Sequence, residues 1–221
     1  MKKTELKNLL NKEYKDRLTC LGFKKKGDGF IKLNNDSFLQ FGFGIVDLDN
    51  SFPTTFYWGY GLFSVAVILN KSQGKVFDPK QGYPAIIHES QISLFDKKRY
   101  PILEYDLYNE DQAVKMVNDV VHYLEQVLPQ FEKLQSFKEI DQAINNESIT
   151  QLDSRFIGPK TQMGLIVAKL ANNPKYEILK SQYRKLLKDW PESDKQELEK
   201  VIAFLDRHSK EELLKIAESR T

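Results

Sequence analysis

The sequence predicts an α+β protein: an antiparallel sheet flanked by helices, with an all-α C-terminal extension. Two observations carry most of that expectation. Strand-like runs separated by turn residues fill the chain from Phe30 to Leu69, and every segment beyond Pro159 has helical periodicity. A third is the amphipathic pattern that opens the chain and returns at Asn109. The polar interval Asn145 to Pro159, which carries Gly158-Pro159, marks the expected boundary. It divides an α+β domain over 1–147 from a helical domain or extension over 148–221.

Taken in order, Thr4 to Leu18 places Leu6, Leu9, Leu10, Tyr14 and Leu18 at three- and four-residue spacing, one apolar stripe of a helix. Gly22 ends the helical region and Phe23 is an apolar anchor behind it. Lys24 to Gly29 has turn chemistry, Phe30 to Leu33 is a strand, and Asn34-Asn35-Asp36 turns into a longer strand from Ser37 to about Val46. After the loop Asp47 to Pro53, Thr55 to Leu69 is the most strand-like segment of all. Ala85 to Phe95 supplies one or two more strands, and Lys97 to Tyr105 is irregular around Pro101. Asn109 with Gln112 caps a helix whose stripe is Val114, Val117, Val121, Leu124 and Leu128, kinked or ended by Pro129. Ser136 with Glu139 caps a short helix through Ile144. Helices follow over about Thr161 to Leu170 and from Pro174 to Trp190, with two more starting at Ser193 with Gln196 and at Ser209 with Glu212.

The two long strands suggest a specific hairpin. If Gly42 faces Gly61, then Gly44 faces Gly59 and Val46 faces Tyr57. Alternation puts Phe41, Phe43 and Ile45 with Leu62, Tyr60 and Trp58 on the other side. One face is floored with glycine and the other paved with aromatics. Glycines weaken strands, so they are expected where a helix, a ligand or another backbone comes close. An aromatic cluster is hydrophobic core unless the sheet is left uncovered there, in which case it is an interface.

Composition excludes several classes. Hydrophobic residues make up 41% of 221, enough for a core, and 33 basic against 31 acidic side chains give no global field for nucleic acid or an anionic membrane. The basic N-terminal stretch reads as a solvated helix face and a turn. Cys20 is the one cysteine, so neither an internal disulfide nor a cysteine zinc site is expected. The N-terminus has no apolar signal region and no run approaches a membrane span, which points to a cytoplasmic protein. His88, His122 and His208 lack metal-ligand spacing. Asp47, Asp49 and Ser51 open like a calcium loop, but Phe52 stands at the turn glycine and Trp58 at the bidentate glutamate. Gly158-Pro159-Lys160-Thr161 ends like a phosphate loop without its leading glycine or preceding strand. The sequence therefore names no catalytic residue, no metal and no cofactor.

The order of elements adds a family likeness. A helix running into Leu21-Gly22-Phe23-Lys24-Lys25-Lys26-Gly27, a strand from Phe30, and a long helix ending in Val127-Leu128-Pro129 before a capped helix at Ser136 resemble the bacterial family catalogued as domain of unknown function 4304. The resemblance covers about residues 3–146. It implies an α+β fold with a curved antiparallel sheet, and no assigned chemistry. The expected function is a non-enzymatic protein-binding module, immunity-like in the manner of small bacterial α+β proteins, with another protein as partner. Its surface is expected at Tyr57, Trp58 and Tyr60 or at the acidic loop of Asp47 and Asp49. The alternative is a small-ligand or hydrolytic protein whose groove is floored by Gly42, Gly44, Gly59 and Gly61, with Gln40 as a polar contact.

Overall fold

The computed structural model describes residues 2–49, 51–78, 84–88, 104–134, 136–145 and 157–219. In chain order its elements are α1 (Lys3–Cys20), β1 (Lys24–Lys26), β2 (Gly29–Leu33), β3 (Ser37–Ile45), β4 (Phe52–Leu62), α2 (Phe63–Ser72), β5 (Ile87–His88), β6 (Glu104–Leu107), α3 (Glu110–Glu132), α4 (Phe137–Ile144), α5 (Ile157–Leu170), α6 (Tyr176–Leu186), α7 (Glu192–Asp206) and α8 (Lys210–Glu218). The α+β class with a helical C-terminal part is the one the sequence predicts. The expected strand residues 89–95 and most of the irregular stretch 97–105 lie outside the described residues.

The chain forms two compact units, and their division differs from the expected break at 147/148. One comprises Met1–Tyr60 with Lys98–Glu132, the other Gly61–Lys97 with Lys133–Thr221. Two helices expected with the sheet, α2 and α4, fall in the second unit. Phe63 to Leu69 continues the strand pattern in sequence but is the first two turns of α2. Phe63, Ser64, Val65, Ala66, Val67, Ile68 and Leu69 are all buried, so α2 is covered on every side. A short, uniformly apolar run rich in β-branched residues has no period to separate a buried helix from a buried strand. Such a helix needs neighbours all round, and α2 finds them in α5, α7 and α8.

In the first unit the sheet order is β1-β2-β3-β4, with β6 on β4. Helix α1 buries Leu6, Leu10, Tyr14 and Leu18 as its stripe predicts, and packs on α3. It ends where Gly22 takes φ +85°, and the Phe23 amide returns to the Leu18 carbonyl at 3.0 Å. This is the left-handed closure that glycine adopts without cost, and it turns Phe23 into the core. Lys24 to Lys26 are more than a turn. They pair with β2, and three lysines on a short edge strand discourage pairing with another chain.

Helices α1 and α3 cover the aromatic face of this sheet. Tyr14 meets Phe41 at 4.9 Å and Phe43 at 5.5 Å between ring centres, and Tyr123 of α3 meets Phe56 at 6.1 Å. Beside them, Tyr105 on β6 bonds the Asp119 carboxylate of α3. Burial, and then the Asp119 charge, push the Tyr105 phenol up to about 12. Tyr14 is fully buried, and among the described residues its hydroxyl has no partner. Burial accordingly drives its pKa well above the ordinary tyrosine value. Tyr14→Phe keeps the ring contacts and removes the orphan donor, so it is expected to stabilise the chain by about 1 kcal/mol in urea denaturation. A loss of stability instead would show that the hydroxyl has a partner after all.

The second unit is a helical bundle. Helix α5 touches α2, α4, α6, α7 and α8, and Met163, Leu165, Ile166, Val167, Ala168 and Leu170 are buried on it. It starts at Ile157, four residues before the expected Thr161. Pro159 is no obstacle, because a first-turn amide has no intrahelical partner to lose. The capping boxes at Ser136 with Glu139 and at Ser209 with Glu212 form as the sequence predicts. The one expected at Ser193 does not, because α7 already begins after Pro191. Helix α6 likewise starts at Tyr176, with the Asn173 side-chain oxygen accepting the Lys175 amide at 2.7 Å. Helices α6 and α7 are tied by Lys180 to Asp206 and by a two-pronged Arg184 to Glu199 contact at 2.6 and 2.7 Å.

Candidate functional site

The β3–β4 hairpin carries the residues that the sequence singles out, and its register is not the expected one. Leu48 and Ser51 bridge antiparallel, and the Val46 amide donates to the Pro53 carbonyl at 2.9 Å. The chain therefore reverses between Leu48 and Ser51, and Val46 faces Pro53 rather than Tyr57. Carried up the strands, this register sets Gly44 opposite Thr55 and Gly42 opposite Tyr57. The surroundings of both glycines agree. A Cβ on Gly44 would meet the Thr55 hydroxyl at 3.5 Å, and one on Gly42 would strike the Tyr57 ring. The expected pairing maximised glycine against glycine and left a wide loop. A tight turn overrides it, because short turns fix the register of the strands they join.

The shift is four residues, an even number, so each side chain keeps its predicted face. Trp58 and Tyr60 point into the aromatic face and are only 2% exposed. Trp58 meets Phe131 edge-on at 5.0 Å, and Tyr60 stacks on the same ring at 5.1 Å. As core residues they cannot anchor an interface, which corrects that part of the expectation. Tyr57, beside Trp58 in sequence, points the other way and is 51% exposed. Gly59 and Gly61 are buried, Gly42 lies beneath the Tyr57 ring, Gly44 is exposed and Gln40 is half-buried. The predicted groove thus has a tyrosine ring over the centre of its floor. Neither α1 nor α3 covers it, since both pack on the opposite side.

What the outer face offers is a surface. Even-numbered residues of β3 and odd-numbered residues of β4 share it, which brings Val46 and Leu48 to the side of Tyr57. All three are more than half exposed. The pairing of Pro53 with Asp106 adds Asp106 to the same face, and Tyr108 follows just beyond β6. Asp47 and Asp49 are exposed at the turn, as are Asp106, Tyr108, Glu110 and Asp111. From Leu33 to Asn70 the sequence holds Asp36, Asp47 and Asp49 but no lysine or arginine. The face therefore joins three exposed apolar side chains to Asp106, with Asp47 and Asp49 at the turn beside them. Asp106, Tyr108 and Leu48 escape a reading of the sequence because only the pairing of β4 with β6 and the tight turn bring them to Tyr57.

Among the described residues no group of His, Cys, Asp and Glu is placed to hold a metal ion, and no helix is long and apolar enough to cross a membrane. His122 sits exposed beside Gln126 and Glu125, and His208 bonds the Phe204 carbonyl at 2.8 Å. No family model matches this chain, and neither the curated proteins nor the solved structures yield a match.

Proposed function

We propose that the chain is a non-enzymatic protein-binding module that uses the outer face of the β3–β4 hairpin and takes a partner with a basic surface. The observation that carries this reading is Tyr57, Val46 and Leu48 exposed together on one face, with Asp106 on that face and Asp47 and Asp49 at the adjoining turn. Large exposed apolar side chains beside like charge are costly to leave in water and suit a partner of opposite charge. Tyrosine in such a patch is a frequent anchor of interface energy. An immunity-type role, in which a small α+β protein occludes a basic toxin surface, belongs to this class. The glycine groove receives no such support, since the Tyr57 ring occupies its floor.

The test is a tagged capture from native lysate, with co-eluting proteins and small molecules identified by mass spectrometry. The unsubstituted chain is run beside Tyr57→Ala, Leu48→Asp and Asp106→Lys. All three positions are exposed, so stability should change by no more than about 0.5 kcal/mol. A stoichiometric partner with a basic surface is expected, released by salt. Tyr57→Ala should weaken its binding by about 2 kcal/mol or more, roughly thirtyfold. Equal retention by all the variants, or a metabolite with no protein, overturns the reading.

A further inference from the structure

A second feature, inside the helical unit, points to a small-molecule site independent of the hairpin face. Helix α4 and the turn between α5 and α6 line an open cavity of about 570 Å³ whose wall includes Lys138, Asp141, Asn145, Asn173 and Lys175. That volume lies in the range of ligand pockets, about 300–1,000 Å³. Asp141 forms its acidic wall and is only 6% exposed. Its Oδ1 accepts from Asn145 Nδ2 at 2.6 Å and its Oδ2 from Asn173 Nδ2 at 2.7 Å. Both donors are neutral carboxamides. Among the described residues no Lys, Arg or His lies within ion-pair distance of this carboxylate.

A buried carboxylate without a cation is expensive, and carboxamide bonds offset only part of that cost. Burial raises the Asp141 pKa, and the two carboxamides pull it back only in part. A carboxylate has about four acceptor positions, and the two asparagines use one on each oxygen. The capacity left over suits an ammonium group. The same lining also carries positive charge. Lys138, one turn ahead of Asp141 on α4, and Lys175, two residues after Asn173, are both exposed, and among the described residues neither has an ion-pair partner. A simple cation would meet these lysines and a simple anion would meet Asp141.

We propose that this cavity binds a small zwitterion of amino-acid type, its ammonium on Asp141 and its carboxylate between Lys138 and Lys175. Binding needs no change in the carboxamide frame, since the asparagines already hold the carboxylate in place.

The full 221-residue chain is titrated calorimetrically with the common free amino acids in turn, and with butylammonium and butyrate as half-probes. At least one amino acid should bind, and each half-probe should bind about tenfold more weakly or worse. Lys138→Gln with Lys175→Gln, both on the surface, should weaken the amino acid about tenfold while melting as the parent does. Asp141→Asn should abolish binding; should it fail to fold, the lysine pair decides. Absence of binding by every amino acid, butyrate binding as tightly as the best of them, or affinity unmoved by the double lysine variant each overturns the assignment.

Discussion

Phe131→Ala is expected to remove about 3–5 kcal/mol from the first unit, a large part of the roughly 5–15 kcal/mol that a domain has in total. The ring lies on the last turn of α3, is 5% exposed, and stands against both Trp58 and Tyr60. It meets Trp58 at 71° and Tyr60 at 18°, the edge-on and stacked geometries that aromatic quadrupoles favour. Each such pair contributes about 0.5–1.5 kcal/mol beyond area burial, so truncation loses two pair terms as well as a ring's worth of contacts. The hole would be walled by rigid rings that cannot collapse into it. The chain supplies its own reporter, since Trp58 stands against Phe131 and the only other tryptophan is Trp190. In a Trp190→Phe background, urea unfolding followed by Trp58 emission should show the midpoint of the first unit fall sharply. Tyr57→Ala, one residue from Trp58 but on the outer face, should barely move it. Equal midpoints for Phe131→Ala and its parent would mean that α3 does not depend on this contact.

The same helix shows what a sequence can and cannot specify. Its stripe and its cap at Asn109 are legible: the Asn109 oxygen accepts the Gln112 amide at 2.9 Å, and Val117, Val121, Leu124 and Leu128 are buried. Pro129 reads as a kink or an end, yet helix continues to Glu132 and delivers Phe131 to the sheet. Periodicity and capping act over three or four residues, and where such local signals are strong the structure agrees with them. Long-range choices are not local. The register of β3 against β4 depends on which turn closes the hairpin, and a tight turn between Leu48 and Ser51 displaces the glycine pairing without changing any face. Helix α2 looks like strand because its seven leading residues are all buried, leaving no polar side to betray a period. Helix α2 falls in the second unit because an all-buried helix belongs with the bundle that covers it, and α4 joins it there by packing on α5. The candidate surface is half visible. Tyr57, Asp47 and Asp49 stand out in the sequence, whereas Asp106 joins them through strand pairing 53 residues away. The asparagine frame around Asp141 is invisible, because Asn145, Gly164, Asn173 and Tyr183 come from separate helices and turns.

That frame supplies the other large expected effect. Gly164 sits in the middle of α5, where alanine is intrinsically better by about 0.8–1 kcal/mol. Gly164→Ala is nevertheless expected to destabilise the helical unit by about 1–3 kcal/mol, the usual range for overpacking a filled interior. A Cβ at this position would lie 2.6 Å from the Tyr183 hydroxyl and 3.1 Å from the Asn145 side-chain oxygen. Neither neighbour is free to yield. Tyr183 is buried and its hydroxyl donates to Asn145 Oδ1, while Asn145 Nδ2 is held by Asp141 at 2.6 Å and by the Gly164 carbonyl at 2.9 Å. Burial already lifts the Tyr183 pKa above the usual phenol value, so the hydroxyl stays protonated and must keep an acceptor. A double-substitution cycle separates steric conflict from ordinary helix effects. Tyr183→Phe alone should cost about 1–3 kcal/mol by stranding the Asn145 oxygen. Combined with Gly164→Ala, it removes the closest clashing atom, so the pair should cost less than the sum by about 0.5–3 kcal/mol. Strict additivity, or a stabilised Gly164→Ala, would show that the hydroxyl does not press on α5 and that the glycine is dispensable. A coupled pair would establish that the chain keeps a helix-weakening residue to let a buried hydroxyl reach the carboxamide that orients Asp141.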